Sequence, residues 1–150
     1  MPEESKDTVR VGIGVFIRKG DQILLHKRLS KHANNTWACP GGHLEKFETF
    51  AEAGLRETLE EAGPDIKVTE PKVWTVVNTV FLDEDRHYAC IFLICDWISG
   101  EAKVMEPDKC EEWKWFECYD LPSPLIEGCR ILKEQAWYPN NVNSDLLLPA

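Results

Sequence analysis

Residues 41–63, GGHLEKFETFAEAGLRETLEEAG, constrain this chain more than any other stretch. From Thr49 to Ala62 there is no Pro and one Gly, and Gly63-Pro64 is a strong stop. The segment reads as a helix begun by Thr49 or Glu48, with Phe50, Ala53, Gly54 and Leu59 as its inner face. At ~100° per residue, Glu57, Glu60 and Glu61 fall within about 100° of arc. Carboxylates packed so closely repel one another. A Glu-rich helix is ordinarily a solvated face, but Gly41-Gly42 sits just before this one, where backbone must approach something closely. A cation among the three acids would relieve the repulsion. Hard oxygen ligands favour Mg²⁺ or Mn²⁺, and Mg²⁺ typically brings a phosphate substrate with it. Arg56 lies beside this face and is placed to turn back toward Glu48 in a charge-assisted bond.

Around this helix the chain alternates strand and helix signals. Residues 9–18 and 22–28 are β-rich runs across Gly20-Asp21 and predict a hairpin; 29–36 predict a loop and 37–39 a short apolar segment stopped at Pro40. Residues 72–82 and 87–98 are β-branched and aromatic, joined by charged residues, and predict a second, longer hairpin. Glu112 to Phe116 alternates like a further strand, Leu125 to Gln135 reads as a second helix, and the tail from Pro139 is expected to be loosely ordered. That order implies an α/β fold, a mixed sheet sandwiched by helices. With 150 residues, we expect a single domain over 1–150, its core about 9–138 and its tail 139–150.

Charge is concentrated in blocks. The formal net charge is −9. Residues 41–63 hold six acids against two bases, a net of −4, and 105–120 repeat that balance; residues 6–31 hold seven bases against two acids, a net of +5. The acidic average argues against a surface that coats nucleic-acid polymers. No run of 18 apolar residues is present to suggest a membrane span, and the N-terminal residues lack a signal-peptide pattern. The six cysteines show no CxxC spacing and several lie inside apolar runs, which favours buried thiols in a reducing, cytoplasmic compartment.

The segment 42–64 resembles the Nudix box, G-x5-E-x7-R-E-U-x-E-E-x-G-U, where U is a bulky apolar residue. The fixed positions fall on Gly42, Glu48, Arg56, Glu57, Glu60, Glu61 and Gly63. Thr58 and Pro64 occupy the two apolar positions, and Phe47 replaces the glycine usual before Glu48. CPGGHLE, VVNTVF with HYACIF, EPDKCEEWKW and GCRILKEQ extend the resemblance over about residues 10–138, toward the eukaryotic nucleoside-triphosphate diphosphatase branch, the second MutT homologue.

The resemblance implies the Nudix α/β/α sandwich with a mixed central sheet, and Mg²⁺-dependent (Mn²⁺ as an alternative) hydrolysis of (d)NTPs, or of oxidised nucleotides such as 8-oxo-dGTP, to monophosphate and pyrophosphate. It makes Glu57 and Glu61 the principal metal ligands, helped by the Gly42 carbonyl. Glu60 is either a further ligand or the group that orients the attacking water, and Glu111 is a candidate ligand from outside the box. Arg56 and Glu48 become organisers. Lys27, Arg28, Gly41 and His43 are candidates for phosphate or substrate contact; Cys39, Cys90, Phe92 and the Gly128-Cys129 backbone are candidates for the base pocket. Related enzymes are commonly dimers, so a homodimer is expected. Two alternatives stand: another diphosphate substrate (a pterin triphosphate, NADH or a capped nucleotide), or a catalytically silent nucleotide-binding module. The SQPWPFP-like run of NADH pyrophosphatases is missing, and Asn78 stands where ADP-ribose hydrolases tend to place a proline.

Overall fold

A computed structural model describes residues 7–150. Its strands are β1 (Arg10–Lys19), β2 (Gln22–Arg28), β3 (Trp37–Ala38), β4 (Gly41–His43), β5 (Lys67–Val68), β6 (Lys72–Phe81), β7 (Arg86–Ser99), β8 (Cys110–Glu117) and β9 (Leu148–Pro149); its α-helices are α1 (Phe50–Ala62) and α2 (Glu127–Glu134). The main sheet runs β3-β2-β1-β7-β6-β9, with β4 also on β1 and β8 on β2. The β1–β7 pair is parallel, from Arg10 opposite Tyr88 to Arg18 opposite Asp96, while the other pairings are antiparallel. The sheet is therefore mixed, as the alternation of elements implied.

The middle of β1 is buried on both faces and splits by parity. Ile13, Val15 and Ile17 join Leu24, Ala53, Ala62 and Leu93 in a core beneath α1. Phe16 joins Ile23, Leu25, Phe92, Cys129 and Leu132 in a second core beneath α2. Period-2 alternation thus feeds two helix layers from one strand, and the result is the α/β/α sandwich.

Helix α1 starts with a capping box: Thr49 accepts from the Glu52 amide, and the Glu52 carboxylate accepts from the Thr49 amide. Its buried face is Ala51, Ala53, Gly54, Glu57, Thr58 and Ala62. Leu59, expected inside, is 55% exposed. The helix is rotated so that Glu57 takes the inner position, which an apolar-periodicity argument does not anticipate. Thr58 is buried and its hydroxyl donates to the Gly54 carbonyl at 2.8 Å.

Two differences from the sequence reading concern loops. Gly41 and Gly42, which follow the stop at Pro40, join His43 in β4 and pair with Gly12–Gly14 of β1. The segment after Pro139, expected to be loosely ordered, carries two 3₁₀ turns and β9, which pairs with β6. Arg18 ties it down: its guanidinium donates to the Pro139 and Val142 carbonyls (3.0 and 2.7 Å), to Ser144 Oγ (2.6 Å) and to both carboxylate oxygens of Asp96. Among the described residues no helix is long and apolar enough to cross a membrane.

Candidate active site

Arg56 organises the junction between α1, β4 and the loop that joins them. Its Nε and Nη2 donate to the two carboxylate oxygens of Glu48 (2.7 and 2.9 Å), Nη2 also to the His43 carbonyl (2.9 Å), and Nη1 to Glu57 Oε1 (2.7 Å). Glu48 Oε1 in turn accepts from the Glu45 amide at 2.8 Å. The paired, forked geometry suits a guanidinium and no other side chain. It holds Glu48 below the usual carboxylate range and Arg56 above the usual guanidinium range.

Glu57 then packs flat on the strand. A Cβ on Gly42 would lie 2.2 Å from Glu57 Oε1, so only glycine leaves room for the carboxylate against β4. One turn on, Glu61 accepts from the Gly41 amide at 3.2 Å and lies next to Glu57. Burial raises the pKa of Glu57, with Arg56 opposing; burial and the Glu57 charge raise that of Glu61 further. Glu60 points outward, its side chain 53% exposed, with Oε2 3.5 Å from Arg56.

Two cavities flank the acid pair. One, about 220 Å³, is lined by His26, Arg28, Ser30, Glu57, Glu60, Glu61, Glu106, Lys109 and Cys110. The other, about 260 Å³, lies on the α2 face of the sheet, among Cys39, His43, Thr79, Tyr88, Phe92 and Gly128. Among the described residues, Arg28 alone lines both. Burial lowers its pKa but leaves it cationic, and it donates to the His32 carbonyl and Ser30 Oγ.

These are the features of one family: residues 8–134 match the NUDIX domain. The chain belongs to the NUDIX family. It is 33% identical over 134 residues to an ADP-ribose pyrophosphatase of Methanocaldococcus jannaschii, covering 87% of this chain and 75% of that one. It is 35% identical over 95 residues to an 8-oxo-dGTP diphosphatase of Proteus vulgaris, covering 61% of this chain and 80% of that one. A MutT NUDIX hydrolase from Burkholderia pseudomallei superposes with a TM-score of 0.78 at 34% identity, over 86% of this chain and 98% of that one. Other curated relatives are longer, and the chain spans 57% and 40% of two of them. The protein is accordingly a hydrolase of phosphoric anhydrides.

NUDIX hydrolases work with divalent cations. Among the described residues no three His, Cys, Asp or Glu side chains are preassembled around one point. The donor set nonetheless fits a divalent ion. The buried Glu57 carboxylate and the half-buried Glu61 carboxylate lie beside each other against the glycines of β4, burial raising both pKa values and the Glu57 charge raising that of Glu61 further. A cation there would offset the charge of the two carboxylates.

The sequence-predicted residues divide between the two cavities. Glu57, Glu60 and Glu61 line the first; Cys39, Gly41, Gly42, His43, Cys90, Phe92 and Gly128 line the second. Cys129 lies behind, its free thiol hydrogen-bonded to that of Cys39. Lys27 and Glu111 line neither: they face each other at 3.7 Å on adjoining strands. Glu106, not Glu111, is the acid outside the box that reaches the carboxylate cavity. Sequence reasoning also missed His26, Tyr88 and Thr79. Gly12 and Gly14 went unremarked too, although alternation of β1 with Phe16 would have placed them on the α2 face, where they leave space for the second cavity.

Proposed function

We propose that this NUDIX hydrolase is a Mg²⁺-dependent nucleoside triphosphate pyrophosphohydrolase, releasing monophosphate and pyrophosphate from (d)NTPs or oxidised analogues of the 8-oxo-dGTP type. The observation that carries this reading is Arg28, which borders both the carboxylate cavity and the larger, mostly apolar one. A cation so placed suits a ligand with a flat aromatic body in one cavity and polyanionic phosphates beside the other.

In this reading Glu57 and Glu61, with the Gly42 carbonyl, hold the divalent ion, and Arg56 with Glu48 fixes the orientation of Glu57. The bound ion would supply charge neutralisation on phosphoryl oxygens and lower the pKa of water. Glu60, outermost of the three, is placed to orient an attacking water. Phosphoryl transfer needs chiefly positioning and charge, so no covalent nucleophile is required. Arg28 contacts the phosphates; Lys27 and Glu111 pair with each other outside both cavities. His43, whose Nδ1 accepts from Arg10 at 3.0 Å and whose ring stacks on Tyr88, closes one wall over Cys90 and Phe92. The segments that resemble the eukaryotic second-MutT-homologue branch support the nucleoside triphosphate preference. Six unpaired thiols suit a cytoplasmic setting, and exposed Val76 and Val80 on β6 suit a homodimer.

The deciding experiment is a substrate screen with Mg²⁺, including 8-oxo-dGTP, the common dNTPs, ADP-ribose and NADH, with products identified by chromatography. The expected result is preferred hydrolysis of a nucleoside triphosphate with release of pyrophosphate. Release of inorganic phosphate without pyrophosphate, or preference for ADP-ribose, overturns it. Glu61→Gln, nearly isosteric, should lower turnover by about 10²-fold or more in a folded protein.

A further inference from the structure

We propose that His26 is a nitrogen donor in the cation site, so that the site prefers a first-row transition ion such as Mn²⁺ over Mg²⁺. The inference rests on the assignment of Glu57 and Glu61 as cation-holding residues. His26 lies in the middle of β2, opposite Trp113 of β8, and is 4% exposed. Neither ring nitrogen has a hydrogen-bond partner. Buried imidazoles are seldom left so, because an unmade bond to a strong polar group is costly.

The ring is held by packing instead: it stacks on Trp113 with centroids 4.5 Å apart and planes 18° from parallel. That stacking directs Nε2 into the carboxylate cavity, 3.5 Å from Glu61 Oε2. The separation is long for a hydrogen bond. It is close to the spacing of neighbouring ligand atoms on one ion, since two atoms each about 2.1 Å from a metal at 90–110° stand about 3.0–3.4 Å apart. With no partner on either nitrogen, the ring has a lone pair to offer an ion in that cavity. Carboxylates alone leave Mg²⁺ well served, whereas an imidazole among them shifts preference toward transition ions.

A ring serving only to pack on Trp113 would never touch the metal. The test is electron spin-echo spectroscopy of the full chain loaded with Mn²⁺, prepared with natural-abundance and with ¹⁵N-labelled histidine. The expected result is a histidine nitrogen coupling that changes isotope with the label and vanishes in His26→Gln. The ratio of Mn²⁺ to Mg²⁺ affinity should fall by about tenfold in the same variant. If His26→Gln does not fold, the triple variant His32→Gln, His43→Gln, His87→Gln leaves His26 as the sole histidine and should keep the coupling. Mn²⁺ bound without histidine coupling, coupling that survives in His26→Gln, or coupling lost in the triple variant overturns the inference. Unchanged Mn²⁺ affinity in Glu61→Gln would instead overturn the underlying carboxylate site, and the inference with it.

Discussion

Gly42→Ala tests whether the position of Glu57 against β4 matters to the chemistry. Gly42 does not have positive φ, so alanine fits the backbone, and the whole effect falls on the side chain opposite. The new Cβ would stand 2.2 Å from Glu57 Oε1 and 2.4 Å from its carboxyl carbon. Ordinary contact begins at 3.4 Å, so the carboxylate must retreat by 3.4 − 2.2 = 1.2 Å. A displacement of about 1 Å at a reacting centre costs about 10²-fold in rate. Retreat also strains the 2.7 Å bond from Arg56, part-exposed, which sets the stability loss at about 1–2 kcal/mol. We therefore expect kcat/KM to fall about 10²-fold, Mn²⁺ affinity to weaken, and urea unfolding to shift only modestly. Gly20→Ala is the control: φ is +60° with nothing within 4 Å of the new Cβ, so it should cost about 1 kcal/mol of stability and leave kcat unchanged. A folded Gly42→Ala enzyme within threefold of the parent would refute the reasoning, because Glu57 would then not be needed where β4 holds it.

Three other expectations follow from the same geometry. Glu57 and Glu61 have folded pKa values above the ordinary 4.5, so the stability they contribute is full below that pH and is lost as pH rises through the raised values. Melting of the metal-free protein should accordingly show this loss above pH 4.5, Mg²⁺ should restore more stability as pH rises, and Glu61→Gln should flatten both trends; a Mg²⁺ effect independent of pH would count against raised carboxylate pKa values at the cation site. Phe47 is 92% exposed at φ +72°, with Lys46 5.0 Å from its ring centre, so Phe47→Gly should relieve about 1 kcal/mol of backbone strain, lose about half of that in the cation–π contact, and raise the urea midpoint slightly. Arg18→Met removes five donated bonds that join β1 to Asp96 and residues 139–144; with Asp96 45% exposed the loss should be about 2 kcal/mol, and amide exchange should rise selectively over 139–146.

The parts of this fold that were legible in the sequence are those in which local chemistry and tertiary context agree. The Gly20-Asp21 hairpin, the Thr49 cap and the Gly63 stop each have a short-range cause, and all stand where turn and capping chemistry put them. The tail is different. Nothing within NNVNSDLLLPA announces order, because what orders it is a guanidinium 121 or more positions away. Strand β4 was hidden for a related reason: a two-glycine segment has no side-chain pattern to read, and its pairing is imposed by β1. Leu59 and Glu57 exchanged places because apolar periodicity assumes that a buried helix face is apolar, and here the sheet-facing stripe carries a carboxylate.

The same limit explains which site residues could be found. Arg56, Glu57, Glu60 and Glu61 share one helix, so their proximity follows from a period of 3.6 residues. Glu48 is reachable from there because it lies eight residues before Arg56 and carries the complementary charge. His26 and Glu106 have no such link. They reach the acid pair only because β2 and the loop before β8 are brought alongside α1 by the sheet, and His26 was further disguised by sitting in LLH, an apolar stretch where a histidine reads as core. The pair Lys27–Glu111 shows the converse, since their charges and motif positions suggested the site while antiparallel pairing turned them toward each other. Strand alternation makes that outcome necessary: with His26 facing the acid helix, Lys27 must face away, and Arg28 returns to the same side as His26, into the wall between the two cavities.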